Sequence, residues 1–476
     1  MIEPLIPRHR DRWQPFYDQV PSPVRHLLTS ARGWPLARIR YAPETFSLLH
    51  ALRTHEPWTA SDIASFQLHA LRQSLAHARS TVPFYASYPK MELDSVDDLR
   101  RLPVLPRETV RENQDRLLSS SIAPHRRIRA GTTGTTGANL SVAYTEQLAR
   151  DNWAFLLRQW AWAGIQPRHP RLTFFGARIV PAKRRHPPFW THNLPERQVL
   201  LSIFHLSEST APSYLAFLRK HQGEILEGFP SVLSLLADFA LLRGERIPMH
   251  VVFTTGEPLY PSIRAKIEEA FQARVFDSYG MTEYCGLIQQ CERGQMHLAP
   301  EYGYLEILNE QDQPVAPGED GYFVWTGFLN RAMPLIRYRI GDRGRWETGS
   351  PCACGRAFTP VVPTITRECE VLRSTDGRIF SAPALAQILY KSDSLRFCQI
   401  IHDRPERVII RAVPSNGRRA AKETMEIRAS LQDLFGSAVN VIAELAAAPL
   451  STPSGKIPFI INHVSARHDT VLNMPI

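Results

Sequence analysis

The sequence predicts an α/β protein: a large domain of several subdomains, with helices packed on layered sheets, followed by a small α+β domain. Three observations carry this. Between residues 147 and 330 helix-period and strand-period patterns alternate, as layers of helix on sheet require. Leu305–Ile307, Tyr322–Trp325 and Leu335–Tyr338 are closely spaced strand patterns, the mark of a β-rich subdomain. After Thr366, Val408–Val413, Thr424–Leu434 and Val439–Leu445 read strand, helix, strand within roughly a hundred residues, a normal domain size.

The elements follow in order. Residues 1–64 are Pro- and Arg-rich and weakly periodic, predicting an irregular or short-helical lead-in. Leu68, Leu71, Leu75 and Ala78 fall at helical spacing, and that helix should stop near Val82-Pro83. Leu102–Pro106 is held extended by its prolines. Gln147–Trp162 and Ser213–Lys220 read as helices, Arg171–Phe175 as a strand, and Glu224–Gly228 as a strand and turn before a helix through Leu233 and Leu236. His250–Thr254 and Val275–Asp277 are short buried strands. Pro261 sits where a helix can begin, with Ile263, Ile267, Ala270 and Phe271 on its apolar face. A Gly-containing loop, Ser451–Lys456, precedes Ile457–Ile461.

Composition bounds the function. The 476 residues are 43% hydrophobic and 21% charged, which suits a large globular core. The opening residues lack the apolar core of a secretory signal, and no apolar stretch is long enough to cross a bilayer, so the cytoplasm is the expected compartment. The net charge of +10 is spread out and accompanies no nucleic-acid-binding motif. It suits polyanionic small molecules instead.

Four separated motifs carry the chemistry. Gly131–Gly137, with three glycines and four threonines, has little apolar surface; it can bring backbone N–H groups and hydroxyls to an anion, or serve as a flexible turn. It lacks the lysine of a Walker A loop. Asp277–Glu283 follows a strand, and its Thr282 hydroxyl and Glu283 carboxylate suit phosphate oxygens and Mg²⁺. Asp342, after Gly341, is placed to accept from ribose hydroxyls. Gly455-Lys456 presents a cation on a loop near the end of the chain.

In this order the motifs resemble the adenylate-forming superfamily of acyl-CoA synthetases and ligases. The chain is similar to its phenylacetate–CoA ligase-like branch, and within that to the capsular polysaccharide biosynthesis subgroup. Further likeness lies in Leu75–Ala78, Val82–Tyr85, Asp98–Pro106, Phe189–Asn193, Phe204–Ser207 and Gly228–Ser231. The resemblance runs from about residue 65 to the end. It implies a large N-terminal domain over 65–366 that binds ATP and acid, and a mobile C-terminal domain over 367–476.

It also implies residue roles. Thr133, Gly134, Thr135, Thr136 and Gly137 would contact the ATP phosphates. Gly256, Glu257 and Pro258 would border adenine, with Asp277, Ser278 and Tyr279. Thr282 and Glu283 would serve phosphate and Mg²⁺, Asp342 ribose, and Arg367 the hinge. Lys456 would stabilise charge as a carboxylate attacks the α-phosphate. The implied reaction is ATP-dependent activation of a carboxylic acid, aryl or arylacetic by analogy, followed by transfer to CoA. An amine, hydroxyl or carrier protein is the alternative acceptor, and a non-catalytic nucleotide-binding relative the second alternative. Three departures stand out: Ala138 replaces a frequent Lys, Thr366–Glu370 departs from the usual hinge pattern, and the duplicated glycines leave the loop register open.

The cysteines point to a second site. Cys291 and His297 with Cys352 and Cys354 form a Cys₃His set of the kind that closes a structural zinc site. Reduced buried thiols are the plain alternative, and Cys285 competes for one ligand place. Metal-binding relatives of the resembled branch carry similar positions.

Overall fold

The computed structural model describes residues 16–131, 140–176, 178–257, 259–364, 371–373, 378–381, 385, 388–389, 392, 394–414, 419–437, 439–450 and 460–464. Its lead-in is more regular than the weak periodicity predicts. Helices α1 (Ser22–Arg40) and α2 (Pro43–Thr54) precede α3 (Ala60–Thr81), so the boundary drawn at residue 64 falls inside a helix. Tertiary contacts explain α1. Ser30 donates to the His192 carbonyl at 3.1 Å, and buried Arg40 pairs with Glu196 at 2.8 Å. For α3 the local signals suffice: Thr59 and Asp62 form a capping box, and Val82-Pro83 ends the helix where expected.

The middle of the chain builds an eight-stranded sheet. Before it come β1 (Leu105–Pro106), α4 (Arg107–Glu112), the hairpin β2 (Ile128–Gly131) and β3 (Ser141–Tyr144), and helix α5 (Glu146–Trp162). The sheet strands are β4 (Arg171–Phe174), β5 (Trp190–Asn193), β6 (Gln198–Leu201), β7 (Ile225–Gly228), β8 (Val251–Thr255), β9 (Val275–Gly280), β10 (Leu287–Gln290) and β11 (Met296–Leu298). Helices α6 (Ala211–Arg219), α7 (Pro230–Leu241) and α8 (Pro261–Phe271) are interleaved. The spatial order is β11-β10-β9-β8-β7-β4-β6-β5, parallel from β9 through β6.

Burial on both faces explains why the central strands are continuous apolar runs. Leu172, Leu226 and Val252 enter the core shared with α6, α7 and α8. Ile225, Val251, Phe253 and Phe276 enter the core shared with α2 and α5. Helix α1 packs along edge strand β5, covering a row of backbone groups that would otherwise be exposed.

A second sheet pairs β12 (Gly303–Leu308), β13 (Gly321–Gly327), β14 (Tyr338–Trp346) and β15 (Val361–Thr364), with β1 running parallel to β14. The strand expected at Leu335–Tyr338 begins only at Tyr338. Arg337 takes a left-handed φ of 49°, which breaks the extended run. Its buried guanidinium forms a two-pronged pair with Glu306, at 2.9 and 2.8 Å, and also donates to the Leu102 carbonyl. These bonds hold a conformation that L residues rarely adopt.

The C-terminal part joins β16 (Val371–Arg373) to β17 (Ile379–Ser381), and orders β18 (Leu395–Arg404), β19 (Arg407–Pro414), β20 (Asn440–Leu445) and β21 (Ile460–Asn462) as β20-β19-β18-β21. Helix α9 (Ala420–Phe435) packs against β19 and β20. This is the expected α+β pattern. Buried Arg378 joins it to the large sheet's subdomain, donating to the carbonyls of Leu434, Phe435 and Phe204.

Glu306→Ala leaves the Arg337 guanidinium buried without its carboxylate. The expected cost is about 3–5 kcal/mol, seen as a lower denaturant midpoint for loss of near-UV circular dichroism. An unchanged midpoint would contradict the pairing.

Candidate adenylate site

The strand-end motif is positioned by pairing. Strand β9 lies parallel to β8 with Thr254 opposite Asp277 and Thr255 opposite Ser278, which brings the two strands' carboxyl ends together. In open α/β sheets, ligands bind beyond those ends. Gly256 follows β8 with φ 80°, a conformation that favours glycine, and Glu257 beside it is half-buried. Pro258 lies outside the described residues.

Every backbone polar group of Asp277 has a partner. Its N–H donates to Gln290 Oε1 at 2.9 Å, and its carbonyl accepts from Gln159 Nε2 at 2.8 Å. The carboxylate accepts from Thr254 Oγ1 at 2.7 Å. Burial pushes this carboxyl up to about 6, while the Thr254 bond and the Arg264 charge pull the other way. The Ser278 carbonyl accepts from Thr255 Oγ1 at 2.9 Å.

Tyr279 links the two sheets. Its hydroxyl donates to Asp342 Oδ2 at 2.8 Å, so the adenine-border and ribose candidates are in direct contact although 63 residues apart in sequence. The ring stacks over Trp325 at 6.4 Å and meets Phe323 edge-on at 5.6 Å. Trp325 fits because residue 286 is glycine: a Cβ there would lie 2.2 Å from the indole ring. Burial, with Asp342 beside it, holds the Tyr279 phenol well above its ordinary range.

Glu283 is buried at the turn after β9, and Thr282 beside it is half-buried. Arg107 Nη1 pairs with Glu283 Oε1 at 2.9 Å, and Tyr338 OH donates to the same oxygen at 2.9 Å. Sequence reading missed Arg107. It carries no motif of its own; the parallel pairing of Leu105 with Tyr338 brings it to the carboxylate. The Thr282 hydroxyl and Glu283 carboxylate are the hard oxygen donors that suit Mg²⁺. Thr133, Gly134, Thr135, Thr136 and Gly137, and also Arg367 and Lys456, lie outside the described residues.

Below the strand ends is a cavity of about 40 Å³, walled in part by Trp153, Trp160, Phe175, Phe253 and Leu287, with Glu227 also on its lining. Phe174 and Trp162 pack elsewhere in the core.

The cysteine cluster assembles at a separate place. The ligand atoms of Cys291, His297, Cys352 and Cys354 all lie within 4.8 Å of one another. Cys291 and Cys352 sulfurs are 3.7 Å apart, and Cys354 Sγ is 3.5 Å from His297 Nε2. Two sulfurs bound tetrahedrally at about 2.3 Å would stand roughly 3.8 Å apart, so the donor set fits zinc. The other ring nitrogen, His297 Nδ1, lies 2.8 Å from the Phe358 carbonyl, an arrangement that orients a metal-binding imidazole. Cys285 is excluded as a competitor: it lies in another core, with its thiol 3.1 Å from the Met281 sulfur.

Residues 198–329 match the model of the AMP-binding enzyme family. Protein CapK of Staphylococcus aureus is 24% identical over 457 residues, covering 94% of this chain and 99% of that protein. The phenylacetate-coenzyme A ligase of Thermus thermophilus is 23% identical, over 71% of this chain and 78% of its own. Among solved structures, 2-hydroxyisobutyryl-CoA ligase in complex with 2-HIB-AMP and CoA superposes with a TM-score of 0.55 at 19% identity, covering 88% of this chain and 94% of that one. That likeness shows the fold. The resemblance to the adenylate-forming superfamily and its phenylacetate–CoA ligase-like branch is borne out. Among the described residues no helix is long and apolar enough to cross a membrane.

The raised Asp277 carboxyl has a testable sign. The folded protein holds this proton more tightly than the unfolded chain, so ionisation subtracts stability as pH rises from 3.8 through about 6. Asp277→Asn should gain stability on the wild type across that window, with little relative change below it. Denaturant unfolding at a series of pH values measures the difference; a flat difference would contradict the burial.

Proposed function

We propose that this chain is an ATP-dependent adenylate-forming ligase that activates a carboxylic acid and passes the acyl group to CoA. The observation that carries the reading is the meeting of Asp277, Ser278, Tyr279, Asp342, Thr282 and Glu283 at one end of the parallel strands, above a cavity of about 40 Å³. An acid carboxylate oxygen attacks the α-phosphorus of ATP, the bond to the bridging oxygen breaks, and pyrophosphate leaves with the electron pair. The CoA thiolate then attacks the acyl carbon and AMP departs. The relatives named as phenylacetate-coenzyme A ligases support an aryl or arylacetic acid, and the aromatic residues of the cavity wall suit one.

In this reading Asp342 holds ribose, and Tyr279 fixes the Asp342 carboxylate by its hydrogen bond. Gly256, Glu257 and Pro258 border adenine with Asp277 and Ser278. Thr133 to Gly137 cradle phosphates. Glu283 and Thr282 hold Mg²⁺, which offsets phosphate charge; Arg107 neutralises Glu283 when no cation is there. Lys456 and Arg367 belong to a mobile domain over 367–476, and the large domain over 65–366 carries the nucleotide and the acid. A cation brought in by domain closure stabilises charge that develops only in the transition state. The reaction would take place in the cytoplasm, where ATP and CoA are available.

Cys291, His297, Cys352 and Cys354 bind one structural zinc in this proposal. Four protein ligands leave no open position for catalysis. The ion would tie the end of β10 and the start of β11 to the 352–354 segment.

Lys456→Ala should abolish ATP–pyrophosphate exchange while leaving ATP binding measurable; full exchange in that variant sinks the adenylation assignment. Product analysis with and without CoA identifies the acceptor, and absence of any CoA thioester from an acid that exchanges would exclude CoA. Metal analysis should find one zinc per chain, lost in Cys352→Ser/Cys354→Ser together with a fall of several degrees in melting temperature. A metal-free wild type with the same melting temperature as the double variant would remove the zinc site.

A further inference from the structure

Helix α1 is built inside out. Its buried residues are Arg25, Ser30, Gly33, Ala37 and Arg40, all of them polar or small. Each polar one has a partner: Arg25 Nη2 donates to the Val20 carbonyl at 2.8 Å, Ser30 Oγ to the His192 carbonyl, and Arg40 Nη1 to Glu196 Oε2. Gly33 lets the helix close on β5, because an added Cβ would strike the Asn193 side chain. The outer face is apolar instead. Val24, Leu27, Leu28 and Trp34 are 39%, 67%, 37% and 60% exposed, and Ala31 and Pro35 are exposed between and beside them. Their spacing of three and four residues makes one stripe over three turns, roughly 17 Å long at about 1.5 Å per residue. A helix on a globular surface ordinarily turns such a stripe to the core.

The charge on this helix has one sign. No Asp or Glu lies between Gln19 and Pro43, whereas Arg25, Arg32, Arg38 and Arg40 do. Arg32 and Arg38 are exposed, the first along one edge of the stripe and the second one turn beyond Trp34. A second copy docking by the same face would bring the same arginines and no carboxylate to meet them. Residues 1–15 carry Arg8, Arg10 and Arg12 against Glu3 and Asp11, so they too add positive charge. An acidic phospholipid surface supplies the opposite sign, with hydrocarbon below its headgroups to receive the leucines. Trp favours that boundary, where its ring is in apolar surroundings and its N–H stays wet.

We propose that α1 seats the protein on an anionic membrane surface, with Val24, Leu27, Leu28 and Trp34 at the boundary of headgroups and acyl chains and Arg32 and Arg38 against lipid phosphates. The helix lies in the plane of the interface and does not span it. This placement leaves the adenylate candidates free. Helix α1 packs on β5, the edge strand five positions from β9 in the sheet, roughly 24 Å away at about 4.8 Å per strand. The seat is the same whatever reaction the strand ends perform, so it stands apart from the acid-activating reading. It gives the chain a place at a membrane face rather than a further reaction.

Co-sedimentation of the full chain with vesicles tests this, using phosphatidylglycerol mixed equally with phosphatidylcholine against phosphatidylcholine alone. The wild type should bind the mixed vesicles at least about 10-fold more tightly, and high salt should weaken that binding. In Leu27→Glu/Leu28→Glu the affinity should fall about 10-fold or more, and Arg32→Ala/Arg38→Ala should lower it by a similar factor. Tryptophan emission should shift to the blue on binding, with a smaller shift in Trp34→Phe. Melting temperatures identify a variant that fails to fold, and the remaining variants then carry the test. No binding by the wild type, equal binding to both vesicles, or binding unmoved in the folded variants overturns the proposal. Failure to bind joined with a concentration-dependent dimer overturns it in favour of a second copy on this face. Failure joined with a lower melting temperature in Leu27→Glu/Leu28→Glu overturns it in favour of a cover from the chain's own residues 1–15.

Discussion

The site depends on the placement of β9 between β8 and β10. That strand has a polar motif, Asp277-Ser278-Tyr279-Gly280, at the edge of a dry core, and it holds its position only because the backbone polar groups of Asp277 are answered by buried side chains. Gln290 and Gln159 accept and donate there, and Thr254 meets the carboxylate. Unpaired, these groups would each incur a desolvation penalty comparable to a lost hydrogen bond. Paired, they orient the next three residues toward the space beyond the strand ends.

From this strand the site extends through two further contacts. The Tyr279–Asp342 hydrogen bond joins the parallel sheet to β14, and the Arg107–Glu283–Tyr338 cluster joins the turn after β9 to β1 and β14. Both contacts put carboxylates of one sheet against side chains of the other. A ligand held between them would sense both sheets at once. The buried Arg171, Glu196 and Glu227 group plays a different part: Arg171 pairs with Glu196 and approaches Glu227, which lies on the cavity lining.

Much of the fold was legible because its signals are local. The helices at α3, α5 and α8 follow from apolar spacing, a capping box and an initiating proline, and the strands at β7, β8 and β9 from short runs buried on both faces. Where the reading failed, a distant contact outweighed the local pattern. Leu335-Ile336 is apolar and strand-like, but the pairing of Arg337 with Glu306 and the Leu102 carbonyl bends the run out of the sheet. The lead-in is weakly periodic, yet the packing of α1 on β5 and of α2 on α5 makes it helical.

The sequence by itself determined the order of motifs, the Asp277–Glu283 run, Asp342 and the cysteine–histidine set, because residue type and spacing carry that chemistry. Tertiary structure alone decided which groups meet. Arg107 reaches Glu283 across 176 residues, and Glu227 and Trp153 line one cavity from a strand and a helix. It also chose Cys291, His297, Cys352 and Cys354 over Cys285, whose thiol packs in a different core. The physical reason is that strand pairing and core packing act on residues far apart in the chain, and nothing at Arg107 or Glu227 marks the partner each will have.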